Sequence, residues 1–275
     1  MNITRAHGSL LNLGRNSCNL ELPLSLEFLR TVGNNSQISR LDKAIVKIVS
    51  EADSYQQYGT GVLINENGLL LTALHVIMLD SSKRWRDFYA LLPSENKEGH
   101  VKLKFSVVNY STEHDLALLA LPPGRKYKYM KMSDVVPTMG DTVFTIGFPE
   151  NTKRISKGTT LVPVTNDESK KKVAKFLRKG SELTCNELMF LEDVLGNSAE
   201  NGNVVSTNEV NCGNSGGPLI DKKGMLAGIV TAFKGYPETV KSPFYEALGI
   251  NLEQFPVKER IAISRSIPQI KTVLV

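Results

Sequence analysis

Ser215 stands in the run Gly213-Asn214-Ser215-Gly216-Gly217-Pro218-Leu219. A serine hydroxyl attacks poorly until a base takes its proton. It must also stand clear of its neighbours. Glycines on both sides give a tight bend and let another backbone approach. The same bend can aim the amides of Gly213 and Ser215 at one point, where the oxyanion of a tetrahedral intermediate would be stabilised. A plain turn before the strand Leu219-Ile220 is the alternative reading. His75, in Leu71-Thr72-Ala73-Leu74-His75-Val76, directly follows a strand of buried type. Imidazole titrates near neutrality and can take and return a proton. A structural loop histidine is the alternative. Asp115 heads the apolar run Leu116 to Leu121. A partly buried carboxylate needs a partner, and an imidazole N–H would serve and fix the tautomer. A strand-capping aspartate is the alternative.

The elements that must hold these residues are mostly short strands. Ala44 to Val49 is an apolar run. Val62-Leu63-Ile64 and Leu69-Leu70-Leu71 flank the turn signal Asn65-Glu66-Asn67-Gly68, which predicts a hairpin. Further strands are predicted over Phe88 to Leu92, Val101 to Val108 and Leu116 to Leu121. A connector over 122–140 carries Pro122, Pro123, Gly124, Pro137 and Gly140. A second strand-rich block follows, with runs over Thr142 to Ile146, Ile155 to Val164, Pro218 to Ile220, Met225 to Phe233 and Phe244 to Ile250. Short strands at close spacing mark a barrel or sandwich. Between them, residues 167–196 carry apolar residues three and four apart and predict a helical insert.

Bulk composition narrows the classes. The 275 residues suffice for one large domain or two small ones. A net charge of +5 is mild and does not mark a nucleic-acid binder. Three cysteines, Cys18, Cys185 and Cys212, are neither a disulfide framework nor spaced as metal ligands. Polar residues interrupt the first twenty positions, so no secretory leader is recognised, and no segment is long and apolar enough to span a membrane. The expectation is a cytoplasmic protein with no cofactor and no metal. A leader removed from the chain would make it periplasmic or secreted.

His75, Asp115 and Ser215 occur in the His, Asp, Ser order of chymotrypsin-type enzymes. With their frames, the chain resembles the trypsin-like serine proteases, and within them the bacterial HtrA/Deg-type branch. The matching pieces are Gly59-Thr60-Gly61-Val62-Leu63-Ile64 with Gly68, the block at 72–76, and Asp115 to Leu119. Gly140 to Val143 with Gly147-Phe148-Pro149, and Gly213 to Leu219, complete them. The resemblance covers roughly 44–165 and 203–250. It implies an all-β fold of two six-stranded antiparallel β-barrels with the site in the cleft between them. The domain plan is an N-terminal arm (1–42), a first barrel (43–121), the connector (122–140), a second barrel (141–253) carrying the insert, and a C-terminal tail packed on the body (254–275). It also implies a serine endopeptidase acting on a protein or peptide substrate, regulated or itself regulatory, and a homo-oligomer in the manner of many HtrA-type chains. Thr231-Ala232-Phe233 would pair with the substrate backbone.

Some features depart from the family. Asn214 replaces the aspartate that switches on digestive trypsins, so no activation of that kind is expected. With only residues 216–275 after the serine, no PDZ domain is expected. The insert 167–196 either regulates access and docks a partner or is a solvated decoration. Glu209 stands where trypsin-like enzymes place the floor of the specificity pocket. It would either select Lys or Arg there or turn to solvent and leave a small apolar pocket. Cys212 would line the pocket entrance as a redox-sensitive lip or a small filler. Two other functions remain open. One is a catalytically silent binding or chaperone-like protein on this fold. The other is an esterase, which would need a strand–turn–helix elbow. The strand-like run after Pro218 argues against that.

Overall fold

The computed structural model describes residues 41–50, 58–78, 88–93, 99–138, 140–163, 203–235 and 260–275. The predicted insert, the strand predicted over Phe244 to Ile250, most of the arm, and Cys18 and Cys185 lie outside them.

Seven strands form the first body: β1 (Ile45–Ser50), β2 (Tyr58–Leu63), β3 (Leu69–Ala73), β4 (Phe88–Pro93), β5 (His100–Lys104), β6 (Ser106–Ser111) and β7 (Leu116–Ala120). They make one antiparallel sheet in the order β5-β4-β1-β2-β3-β7-β6. The hairpin predicted between β2 and β3 is present. Asn65 Oδ1 accepts the N–H groups of Asn67 at 3.0 Å and Leu69 at 2.9 Å, which closes its turn. The strand predicted from Val101 to Val108 is broken into β5 and β6 at Phe105. Its halves pair with opposite ends of the sheet, β5 with β4 and β6 with β7. One bent run therefore joins both edges at its corner, and the sheet curls into a half-barrel with no ladder between β5 and β6 among the described residues. Counted as one run, β5 and β6 leave the six strands expected.

The second body is a closed antiparallel barrel of β8 (Thr142–Gly147), β9 (Arg154–Pro163), β10 (Val204–Ser206), β11 (Pro218–Ile220), β12 (Leu226–Gly235) and β13 (Arg260–Ser266). Its order is β10-β13-β12-β11-β8-β9, with β9 and β10 closing the ring. The fold class is thus all-β with a double-barrel architecture. β13 corrects one boundary. It lies in the segment read as a tail after 253, yet it pairs with both β10 and β12. Without it the ring would stay open between them.

Helices are few among the described residues. α1 (Leu74–Ile77) is a single turn after β3, and α2 (Ile267–Lys271) follows β13. One large core joins the bodies. It runs from Ile45, Ile48, Leu63 and Leu119 on the first to Phe144, Ile146, Ile220 and Ile229 on the second. Side chains of this size each contribute about 1.5–3 kcal/mol on burial. The shared core therefore fixes one body against the other.

Candidate active site

β3 delivers His75 at its end, on the single turn of α1. The neighbours of His75 on that turn, Leu74, Val76 and Ile77, are buried, and they seat it. His75 itself is exposed. β7 pairs with β3 through Ala73 and Leu116, which brings Asp115 beside the histidine. Asp115 Oδ2 lies 2.7 Å from His75 Nδ1, and Asp115 Oδ1 accepts the His75 backbone N–H at 2.9 Å. The Asp115 carbonyl accepts the Leu74 N–H at 3.0 Å. With Nδ1–H as the donor, Nε2 is the basic nitrogen. Asp115 takes a left-handed conformation, φ 52°. That costs about 1–2 kcal/mol in a residue with a Cβ, and its three hydrogen bonds offset the strain.

Two tight turns in succession present Ser215. Asn214 N–H donates to Asn211 O at 3.0 Å, and Gly217 N–H donates to Asn214 O at 2.9 Å. The third residue of each turn is a glycine with positive φ, Gly213 at 103° and Gly216 at 82°. Positive φ at that position marks a type II turn. Neither glycine has room for a side chain. A Cβ on Gly213 would strike the Phe148 carbonyl, and one on Gly216 would strike the Thr60 carbonyl and Thr72 Oγ1. The amides of Asn214, Gly216 and Gly217 all donate to carbonyls. Those of Gly213 and Ser215 have no acceptor among the described residues. The two amides named from the sequence are therefore the two left available.

The nucleophile loop is tied to the first body. β2 and β3 pair at Val62–Leu71 and Leu63–Leu70. Beyond that point the Thr60 N–H donates to Ser215 O at 2.8 Å instead. Ser215, on the second body, is thus brought to the strands that carry His75 and Asp115. No hydrogen bond joins Ser215 Oγ to His75 among the described residues. Such bonds are often loose in unliganded sites and tighten on a bound substrate.

The family model of the trypsin-like peptidase domain matches residues 59–229. The chain belongs to that family. A search of curated proteins found no match. Among solved structures, this trypsin-like chain is similar in fold to the crystal structure of a serine endoprotease from Yersinia pestis. The two share 18% identity at a TM-score of 0.54, over 87% of this chain and 64% of that one. This trypsin-like chain therefore spans just under two thirds of that protein's length.

Other positions of this trypsin-like domain are less uniform. Glu209 is exposed, and its N–H donates to Ser156 Oγ at 2.6 Å; its neighbours Asn208 and Val210 are buried. Cys212 is an exposed free thiol on the first turn. Thr231, Ala232 and Phe233 lie on β12 as buried, exposed and half-buried residues. β11 and its approach pair with β12 up to Val230, where Gly216 N–H donates to Val230 O at 2.7 Å. Residues 231–233 run on beyond that ladder. Among the described residues no helix could cross a membrane, and no group of three or more His, Cys, Asp and Glu could hold a metal ion. Sequence reasoning assigned no role to Thr60. The available signal was a lone hydroxyl residue between two glycines in an apolar strand.

Proposed function

We propose that the chain is a serine endopeptidase, with Ser215 as nucleophile, His75 as general base and Asp115 holding the histidine. The observation that carries this reading is the double grip of Asp115 on His75, at Nδ1 and at the backbone N–H. It leaves Nε2 as the proton acceptor. His75 takes the Ser215 proton as Oγ attacks a peptide carbonyl and passes it to the leaving amine, and water, giving its proton to the same base, then hydrolyses the acyl-enzyme on Ser215. The oxyanion forms against the amides of Gly213 and Ser215. Each such donor contributes about 3–4 kcal/mol in the transition state. A substrate strand lies along Thr231–Phe233, past the point where β11 stops pairing.

With Glu209 exposed, the residue before the scissile bond is small or apolar rather than basic. The test combines two reagents. A fluorophosphonate should label the wild-type chain and not Ser215→Ala, and a peptide library should be cut only by the wild type. Equal labelling of the two would overturn the reading.

A catalytically silent binding protein is the second reading. It draws on the missing hydrogen bond between His75 and Ser215. It predicts no labelling of the wild type under any condition.

A further inference from the structure

We infer that Thr60 is a positioning residue that holds the first of the two turns, and so the Gly213 amide, in the form an oxyanion needs. The inference rests on the proposed peptidase reading. Thr60 is fully buried on β2. Its Oγ1 donates to Gly213 O at 2.7 Å and accepts the Phe148 N–H at 3.2 Å. Its own carbonyl accepts the Thr72 hydroxyl at 2.7 Å, and its N–H holds Ser215 O at 2.8 Å. One residue of the first body thus bonds to both sides of Asn214 and to the end of β8.

The side-chain bonds matter most. Gly213 O belongs to the peptide that closes the turn, because the N–H of that peptide is the one Asn214 donates to Asn211. Clamping this peptide at its oxygen as well as its nitrogen fixes the rotation of Gly213. A glycine is the residue that rotates most freely. Released, its preceding amide would swing out of line with that of Ser215. The Phe148 N–H sets where the Thr60 hydroxyl sits, and the Phe148 carbonyl backs Gly213. Thr60 touches no substrate. It acts through the turn.

Three variants separate this role from plain stability. Thr60→Val keeps the shape and loses the hydroxyl. Thr60→Ser keeps the hydroxyl and loses the methyl. Thr60→Cys keeps a weak donor of similar volume and substitutes if the valine variant does not fold. The readouts are the rate constant for fluorophosphonate labelling, whose phosphonyl oxygen occupies the oxyanion position, and kcat and KM on fluorescein-labelled casein. Thr60→Val should lower the labelling rate and kcat about 100-fold, with KM within about threefold. Thr60→Ser should stay within about threefold of wild type on both, and Thr60→Cys should fall between. A folded Thr60→Val with wild-type labelling overturns the inference, as do equal losses in the serine and valine variants. A wild-type chain that does not label at all overturns the peptidase reading instead.

Discussion

The two bodies supply the site in different currencies. The first gives side chains, His75 and Asp115, from the ends of neighbouring strands β3 and β7. Their placement depends on residue-specific bonds to carboxylate oxygens. The second gives mainly backbone, the amides of Gly213 and Ser215, from turns that tolerate no side chain at two positions. The first half should therefore lose chemistry without losing shape when an atom is exchanged. The second should lose both when an atom is added.

The largest effect should come from the first body. Asp115→Asn leaves the outline of the pair intact but lets the amide donate towards Nδ1, which favours the wrong tautomer. A fall in kcat of roughly 10⁴-fold is expected with a melting temperature near that of wild type. A large drop in melting temperature would break the contrast. Next comes Gly213→Ala. The added Cβ meets the Phe148 carbonyl in a backbone conformation that suits only glycine. Loss of one oxyanion donor lowers kcat about 10²–10³-fold, and here melting temperature should fall as well. An alanine variant with unchanged stability would show that the turn is less constrained than its contacts imply.

The smallest effect lies away from the cleft. Asp141, just before β8, accepts the N–H of Thr138 at 2.7 Å and its hydroxyl at 2.8 Å. The Thr138 backbone bond is the main cause that holds its carboxyl below the usual range, and Lys222 adds to it. A carboxyl with a lowered folded-state pKa stabilises the protein above its unfolded value of about 3.9, and that contribution is lost as pH falls through the folded value. Asp141→Asn should remove that part of the acid dependence. The side chain is 35% exposed, so the change should stay below about 0.5 kcal/mol at neutral pH. Thermal melts across pH 2–7 would measure it.

Much of this was legible in the sequence, for uneven reasons. β1, β3, β4, β7, β8 and β11 were visible because each is a short apolar run bounded by turn residues. β10 has three residues, too few for any periodicity, and β13 was passed over because it alternates only briefly. The break at Phe105 was hidden because a bent strand and a straight one have the same composition. The partnership of His75 and Asp115 followed from order and chemistry. The strained backbone of Asp115 did not, since aspartate adopts both signs of φ. Thr60 was quoted within a motif, but its bonds reach residues about 90 and 150 positions away. No local pattern encodes contacts of that range. Spacing to Ser215 alone could not choose between the two readings of Glu209, a pocket floor or a side chain turned to solvent.

The bend at Phe105 also limits how this chain can change in length. Its two halves are zipped to different neighbours, β5 to β4 and β6 to β7. Adding or deleting one residue there would have to be taken up by a slip or by a bulge such as the one between Val107 and Asn109, and a slip turns a whole strand's side chains inside out. The turn Asp221–Gly224, between β11 and β12, is held by its own bonds, with Asp221 Oδ1 accepting the N–H groups of Lys223 and Met225 at 2.9 Å each, but it joins the two strands of a single hairpin. A change of length is thus felt by two ladders at the first body's corner and by one hairpin at the second's.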